Sequence, residues 1–170
     1  GMYLFEGAGK AKKGELRVQP LRSGTILREA IAAAELLDKD FGVSADIWSC
    51  PSFNELRRDG FDSERWNRLH RESGKRIPHV EQCLAGRSGP AIAATDYVRA
   101  FADQIRAFVP MHYTVLGTDG FGRSDTRSNL RRFFEVDRYY IAHAAVAALA
   151  ADGKLSAKDV SRAIKMYNID

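Results

Sequence analysis

Cysteine, proline and long apolar runs are scarce in this sequence, and each scarcity excludes a class of protein. The two cysteines, Cys50 and Cys83, are too few for a disulfide framework and lack the spacing of metal ligands. Both lie in apolar stretches, so we expect two buried thiols. The five prolines form no cluster that could serve as an interdomain linker, and no repeat or low-complexity tract occurs. A single domain spanning residues 1–170 is therefore expected.

Two further absences concern membranes and charge. No apolar run comes near the roughly 18 residues that a membrane span requires, since even the alanine-rich stretch 141–151 is interrupted by His143. The N-terminal residues lack the apolar core of a secretory signal, which makes the cytoplasm the expected compartment. The formal charge of +4 is a mild excess, with local clusters at Lys10–Lys13 and Arg123–Arg132. Neither cluster alternates with aromatic residues, so we expect neither a nucleic acid nor a membrane as a partner.

Segments typical of strands alternate with segments typical of helices along the chain. The segments expected as strands are 16–21, 45–50, 79–84, 91–94 and 113–116, with a further short segment at 2–5. Apolar residues three and four apart predict helices at 27–41, 97–109, 137–151 and 156–167. A short helix is expected at 54–56, followed by a polar connection at 61–70. This alternation predicts an α/β fold, a three-layer α/β/α sandwich with a mainly parallel sheet.

The helix expected at 137–151 carries small apolar residues around much of its circumference. Such a helix is buried on more than one side. It therefore lies under another helix of the chain or packs against a partner subunit.

The side chains that most often carry catalysis are scattered. The four histidines, His70, His79, His112 and His143, suggest no metal site and no base dyad, and each is expected to be structural or exposed. The segment Gly86–Gly89 only partly resembles a nucleophile elbow and is better explained as a tight turn.

The loop Gly117–Gly122 follows a strand, where many α/β proteins bind phosphates. Its glycines follow neither the dinucleotide-binding nor the P-loop pattern, so two interpretations stay open. The loop either touches a ligand, or it is a turn that drives Phe121 into an apolar pocket or an interface, with the Asp119 carboxylate accepting backbone N–H groups. Arg127 and Arg131 leave a similar choice, between gripping an anion and forming a solvated or subunit-facing helix surface.

Several long and unusual sequence motifs resemble those of one family along essentially the whole chain. These motifs lie at 18–29, 52–60, 64–70, 94–97, 116–125, 129–131, 134–137 and 167–170. They are similar to the C-terminal domain of the homodimeric pyruvate dehydrogenase component, the thiamine-dependent decarboxylating subunit of the bacterial complex.

The resemblance implies a transketolase C-terminal fold, with a mixed, mainly parallel five-stranded sheet and one antiparallel edge strand. It implies that the chain is part of a longer enzyme that decarboxylates pyruvate and passes the acetyl group to a lipoyl-bearing acetyltransferase. The expected partners are thus the remaining domains, a second subunit of a homodimer and that acetyltransferase. Thiamine diphosphate and magnesium are expected on the other domains. This domain is expected to build the subunit interface, and the helix at 137–151 is expected to form part of that contact.

One motif of the family is missing from this chain. The metal motif is Gly-Asp-Gly followed after a long spacer by Asn, whereas Thr118 replaces the first glycine here and Asn129 follows Gly120 too closely. No catalytic, cofactor-binding or metal-binding residue is therefore transferred to this chain. The residues expected to form an interface or an anion-binding loop are Asp119, Phe121 and Arg123. The alternative is a stand-alone α/β module that binds a small anion at Gly117–Arg123.

Overall fold

The computed structural model describes residues 1–9 and 14–169, which form one mixed sheet with helices on both faces. The cluster Lys10–Lys13 and the terminal residue Asp170 lie outside the described residues. The strands of the described part are β1 (Tyr3–Glu6), β2 (Leu16–Arg22), β3 (Val43–Ala45), β4 (Ile47–Ser49), β5 (Ala91–Ala94) and β6 (Tyr113–Leu116). The helices are α1 (Leu27–Phe41), α2 (Phe53–Leu69), α3 (His79–Leu84), α4 (Arg99–Asp103), α5 (Arg127–Phe133), α6 (Arg138–Ala151) and α7 (Ala157–Met166), with single 3₁₀ turns at Gly24–Ile26 and Arg106–Phe108.

The sheet has the order β1-β4-β2-β5-β6, and β1 pairs with β4 in the antiparallel direction while the other pairs are parallel. β3 and β4 both pair with β2 and are separated by one residue, Asp46, so together they occupy one strand position. The predicted mixed, mainly parallel sheet with an antiparallel edge strand is confirmed, but it has six strands and not five, because β3 and β4 divide one strand position between them. Pro20 lies in the central strand β2. On the side of β3 and β4 it falls between the two paired segments, beside the break at Asp46, so its missing N–H group removes no hydrogen bond from either ladder.

Each face of the sheet carries its own apolar cluster. The alternation of side chains along a strand sends Val18 to one face and Leu21 to the other. The Val18 face packs against α1, α6 and α7, and the Leu21 face packs against α2, α3 and α4. The three-layer α/β/α architecture is therefore confirmed. In the described residues, every helix is too short or too polar to traverse a lipid bilayer.

The segment expected as a short helix and a polar connection is one continuous helix, α2, which runs from Phe53 to Leu69. Ser52 caps its start by accepting a hydrogen bond from the Glu55 N–H at 3.2 Å. Its buried side contains Gly60 and Ser63 besides the apolar Phe53 and Leu56. A search for apolar residues at helical spacing misses this face because half of its buried positions are small and not apolar.

Two other expectations were wrong in type or length. Residues 79–84 were expected to form a strand, but they form the helix α3, in which the apolar residues Val80, Cys83 and Leu84 are three and four positions apart. The helix expected at 97–109 is only the short α4, followed by the 3₁₀ turn Arg106–Phe108. A segment of six residues is too short for the spacing of its apolar residues to distinguish a helix from a strand.

Helix α6 is buried on several sides by its own chain. It contacts α1, α7 and the strands β5 and β6, and no residue from Ile141 to Ala150 is exposed. Asp137 caps the helix, since its Oδ1 accepts from the N–H groups of Tyr139 and Tyr140 at 2.9 and 3.0 Å. Burial under other helices of the chain is therefore confirmed as an explanation of its all-round apolar surface, and a share of α6 in a subunit contact stays a prediction.

Candidate functional site

The parallel strands β2, β5 and β6 end at the same edge of the sheet, and the residues that follow them form what we call the carboxyl edge: 23–25, 95–97 and 117–126. The chain leaves β2 toward β4 on one side, whereas β5 lies on the other side of β2. The strand order thus reverses between β2 and β5. In open α/β sheets this reversal opens a crevice at the carboxyl ends, which is the usual place for a ligand.

Hydroxyl groups join the loops on the two sides of this crevice. The Ser23 hydroxyl donates to Thr95 Oγ1 at 3.0 Å, and the Thr25 hydroxyl donates to Asp96 Oδ2 at 3.0 Å. The Thr118 hydroxyl of the third loop donates to the Asp96 carbonyl at 2.9 Å. The three loops are therefore held in a fixed arrangement by short polar side chains.

The loop after β6 folds as a tight turn against the start of α4. The Asp119 carboxylate accepts a hydrogen bond from the Arg99 N–H at 3.0 Å, and Gly120 has a φ of +88°. Gly117 lies so close to Arg99 that a Cβ at this position would be 2.8 Å from its Cα atom. The expected backbone contact of Asp119 is present, and it leaves the carboxylate engaged in holding the turn.

The same loop exposes its aromatic residue instead of burying it. Phe121 is 96% exposed, so the expectation that it fills an apolar pocket of this chain is wrong. Two more aromatic residues near the carboxyl edge, Tyr97 and Phe133, are 57% and 54% exposed. The turn has no apolar side chain to receive Phe121, because glycine stands on both sides of it.

The arginines that follow the loop lie on α5 and reach back toward the β2 side of the crevice. Arg131 donates to Glu29 Oε1 at 2.9 Å and to the Thr25 hydroxyl at 3.1 Å. Glu29 is buried and also accepts from the Arg138 side chain at 3.0 Å. Burial alone would raise the pKa of Glu29, but hydrogen bonds from Arg138 and the charge of Arg131 hold that pKa below its usual value. Glu29 is therefore a carboxylate that orients two arginines.

These elements enclose a cavity of about 440 Å³, which we call the arginine cavity. Its lining residues are Thr25, Asp96, Thr118, Gly120, Gly122, Arg123, Arg127, Leu130, Arg131, Phe134 and Val136. Arg123 is the one predicted site residue of the three that lines this cavity, whereas Asp119 and Phe121 do not. Sequence reasoning missed Thr25, Asp96 and Glu29. Their position directly after β2 or β5, or one helical turn into α1, is the signal that could have found them.

The residues that partly resemble the metal motif do not assemble a metal site. Asp119 is held by Arg99, while the Asn129 side chain donates to Asp125 Oδ1 at 2.8 Å. Within residues 1–9 and 14–169, no three side chains of His, Cys, Asp or Glu come together as metal ligands. These residues do not fit the magnesium ion of a thiamine cofactor.

The remaining candidate residues lie apart from the crevice and from one another. Cys50 is buried, and burial raises the pKa of its thiol to about 12, which keeps it protonated and inert. Cys83 is only half-buried, with its sulfur 3.4 Å from His79 Nε2. The segment Gly86–Gly89 is a turn with positive φ at both glycines, as expected.

The histidines lie in separate surroundings. His70 stacks on Trp66 with ring centroids 3.7 Å apart, and His112 Nδ1 lies 2.9 Å from an Asp152 carboxylate oxygen. His143 is half-buried on α6, and desolvation lowers its pKa. No two of them approach as a proton-transfer pair in the contacts of the described residues.

Comparison with known proteins agrees with this architecture. The model of the transketolase-like TK C-terminal domain family matches residues 1–137. Among solved structures, a transketolase from Pichia stipitis in complex with sedoheptulose-7-phosphate superposes with a TM-score of 0.58 and 16% identity, over 91% of this chain and 19% of that one. A split-gene transketolase, described as an inactive β4 tetramer, gives 0.55 and 16%, over 88% and 42%. At this identity the likeness concerns the fold.

Sequence relatives are closer. Proteins named pyruvate dehydrogenase E1 component are 58% identical over 170 residues in Cupriavidus necator, 57% over 171 in Pseudomonas aeruginosa and 50% over 171 in Escherichia coli K12. Each alignment covers 100% of this chain and 19% of the relative. The chain thus spans about a fifth of the length of the relatives it matches.

Proposed function

Because the chain belongs to the transketolase-like C-terminal domain family, we propose that it is the C-terminal domain of a pyruvate dehydrogenase E1 component. The whole enzyme would oxidatively decarboxylate pyruvate in the cytoplasm with thiamine diphosphate and magnesium, and pass the acetyl group to a dihydrolipoyl acetyltransferase. The proposal rests on the identity of 50–58% to proteins of that name along the entire chain.

The catalytic residues of that enzyme would lie on other domains. Asp119 is engaged in its turn and Asn129 in a bond to Asp125, so neither is available to a metal ion. The deep thiol of Cys50 is inert at neutral pH. The domain would therefore contribute structure and an interface, and the isolated domain would be inactive.

The observation that supports an interface role is the exposed aromatic group at the carboxyl edge. Phe121 exposes almost its whole side chain, and Tyr97 and Phe133 expose more than half of theirs. Arginines and aromatic residues are the types enriched at the centre of protein interfaces. Burial of this surface against the partner subunit of a homodimer explains why a phenylalanine occupies a loop that offers it no pocket.

The enzymatic part is tested with the full-length protein that contains this chain. Purified enzyme with thiamine diphosphate and magnesium should reduce ferricyanide when pyruvate is added and should acetylate a lipoyl domain. Turnover of sugar phosphates in place of pyruvate would contradict the proposal and favour a transketolase.

The interface part is tested by Phe121→Ser in the same full-length protein. If Phe121 is buried between subunits, the dimer dissociation constant should rise about 30-fold, since an aromatic interface anchor contributes about 2 kcal/mol. Leu69→Ser is the control, because Leu69 is also exposed, at 55%, but lies at the far end of α2. Sedimentation equilibrium measures both. Equal dissociation constants for the two variants would contradict an interface at Phe121.

A further inference from the structure

The arginine cavity has no task in the proposed function, yet it contains more positive charge than the fold needs. Three arginines line it, Arg123, Arg127 and Arg131, against the single carboxylate of Asp96. The Glu29 carboxylate behind Arg131 is already shared with Arg138. An excess of positive charge therefore remains at the cavity wall.

Neither outer arginine has a carboxylate in salt-bridge contact within the described residues, although the charge of Arg123 acts on the exposed Asp125 carboxylate two residues away. Arg123 lies with its guanidinium 4.0 Å from the centre of the Phe133 ring, which fixes the plane of the group and leaves its N–H donors available. Arg127 is exposed and forms no ion pair within 4.0 Å. Guanidinium groups held at one cavity are suited to bidentate hydrogen bonds with an oxyanion.

The inner wall supplies both an oriented cation and an acceptor. Arg131 is only 14% exposed and is fixed by Glu29 and Thr25, so it can contribute charge without losing rotamer freedom on binding. Asp96 receives the Thr25 hydroxyl on Oδ2, while no described residue donates to its Oδ1. That oxygen can accept a hydrogen bond from a ligand hydroxyl but repels a second anionic group. The cavity therefore distinguishes the two ends of a ligand.

We propose that the arginine cavity binds a small hydroxylated metabolite with one phosphate or carboxylate group. Arg123 and Arg127 hold the oxyanion, Arg131 adds charge from behind, and Asp96 accepts the hydroxyl. The place of the cavity, at the strand-order reversal between β2 and β5, is where open α/β sheets bind ligands. Its volume of about 440 Å³ suits a molecule of this size. The proposal depends on the residues of this chain and not on the proposed enzymatic function.

The test is calorimetric titration of the full-length protein, saturated with thiamine diphosphate so that its diphosphate site is filled. Glycerol 3-phosphate and glycerate are the probes, because they share the hydroxyls and differ in the anionic group. Saturable binding of either probe at one site per chain is expected, and the tighter probe identifies the oxyanion. The double substitution Arg123→Gln with Arg127→Gln should weaken binding at least about 30-fold, as expected for two charge-assisted contacts.

Two matched variants separate this site from an unspecific charge effect. Arg65→Gln removes an exposed arginine of α2 and should leave binding unchanged. Asp96→Asn should weaken glycerol 3-phosphate more than inorganic phosphate, which has no carbon-bound hydroxyl. Absence of binding would overturn the proposal, also where the reason is that another domain covers the cavity. Equal binding by the double variant would overturn it as well. Turnover of pyruvate by the unsubstituted full-length protein is measured in parallel, so a failure of the enzymatic proposal would be recognised separately.

Discussion

Two buried arginines on the central strand β2 differ in what compensates their charge. Arg17 donates to Asp46 Oδ1 at 2.8 Å, and that carboxylate also accepts from the Ala8 N–H and the Gln19 side chain. Arg22 has no carboxylate and donates only to the carbonyl oxygens of Leu21 and Ile92, while its Nε and Nη2 have no partner among the described residues. The first charge is stabilised by its network, and the second is a cost that the fold tolerates.

Asp46→Asn should lower the free energy of unfolding by up to about 3–5 kcal/mol, because it leaves the buried Arg17 with only the less buried Glu15 as a counter-charge. Burial would raise the pKa of Asp46, but the hydrogen bonds from Arg17, Ala8 and Gln19 hold the pKa below its ordinary value. The stabilisation is therefore complete at pH values above the ordinary carboxyl pKa of about 3.9 and is lost as the pH falls through the lower native value. Urea unfolding between pH 3 and pH 7, about one unit below and three above that pKa, measures both effects.

The control for Asp46 is Asp38→Asn, since Asp38 is an exposed carboxylate of α1. It should change stability by less than about 0.5 kcal/mol and leave the acid limb of the pH profile as it is. A variant at Asp46 with the same small effect would show that the Arg17 network contributes no net stability.

Arg22→Met should leave stability unchanged or raise it by about 1 kcal/mol, because an apolar side chain of similar length removes an isolated buried charge. Arg17→Met is the comparison and should be destabilising, since it removes the arginine that pairs with the buried Asp46 carboxylate at 2.8 Å. Thermal unfolding of the two variants gives the sign directly. A loss of stability at Arg22 as large as that at Arg17 would mean that the carbonyl contacts of Arg22 compensate its charge.

Sequence reasoning at the residue scale succeeded for contacts made within a few residues and failed for contacts made across the fold. The tight turn at Gly86–Gly89 was predicted from its local pattern, and both of its terminal glycines have positive φ. The exposure of Phe121 was not, because a large apolar side chain favours burial unless the surrounding structure lacks a pocket. Asp96 and Thr25 meet across two loops, 71 residues apart in sequence.

At the scale of elements, α2 illustrates how packing can override propensity. Gly60 lies in the middle of this helix, where glycine costs up to about 1 kcal/mol relative to alanine. The reason is the buried Phe108 ring, which occupies the space that a Cβ of residue 60 would need. The helix thus gives up intrinsic stability to let the 3₁₀ turn Arg106–Phe108 approach its backbone.

Gly60→Ala should consequently destabilise the domain by about 1–3 kcal/mol despite the better helix propensity of alanine, because Phe108 must move within a packed core. Asp62→Ala on the exposed side of the same helix is the control and should be neutral or slightly stabilising. Urea midpoints of both variants give the comparison. If Gly60→Ala stabilised the protein, the ring would have room to shift and propensity would dominate.

Packing also decides which helices and strands could be predicted from the sequence. β2, β5 and β6 were predictable as short segments rich in apolar residues, α1 by its apolar residues at helical spacing, and α6 as an apolar run that is too long for a strand. α2 and α3 were not, because α2 presents small residues to the core and α3 is too short for its period to be distinguished from alternation. The elements that position the arginine cavity, namely the ends of β2, β5 and β6, belong to the predictable set. Arg127 and Arg131 of α5 were also named from their spacing, whereas Glu29 of α1 was not, because it meets Arg131 across 102 residues of sequence.

At the scale of the whole molecule, both apolar clusters are built from residues of this chain. Ile92 faces the cluster under α1, α6 and α7, and Ala93 faces the cluster under α2, α3 and α4. A chain of this length buries roughly 70% of the surface that its unfolded form exposes. The sheet shared by the two clusters couples them, so the two faces should unfold together.

The 170-residue chain, produced without the rest of the enzyme, should therefore fold cooperatively and yet bind no thiamine diphosphate. Trp48 is 3% exposed in the cluster under α2, α3 and α4, and Trp66 lies on α2 itself. Tryptophan fluorescence therefore reports on that face, while far-ultraviolet circular dichroism reports on all helices. Coincident unfolding curves from the two probes are expected, because neither cluster can persist without the sheet between them.

Calorimetry of the folded chain with thiamine diphosphate and magnesium should give no saturable heat, since Asp119 and Asn129 are engaged elsewhere and the described residues contain no set of metal ligands. The full-length protein titrated in parallel is the positive control. Binding of one thiamine diphosphate per isolated chain would mean that this domain contains cofactor contacts, and the division of labour between a structural domain and catalytic domains would have to be abandoned.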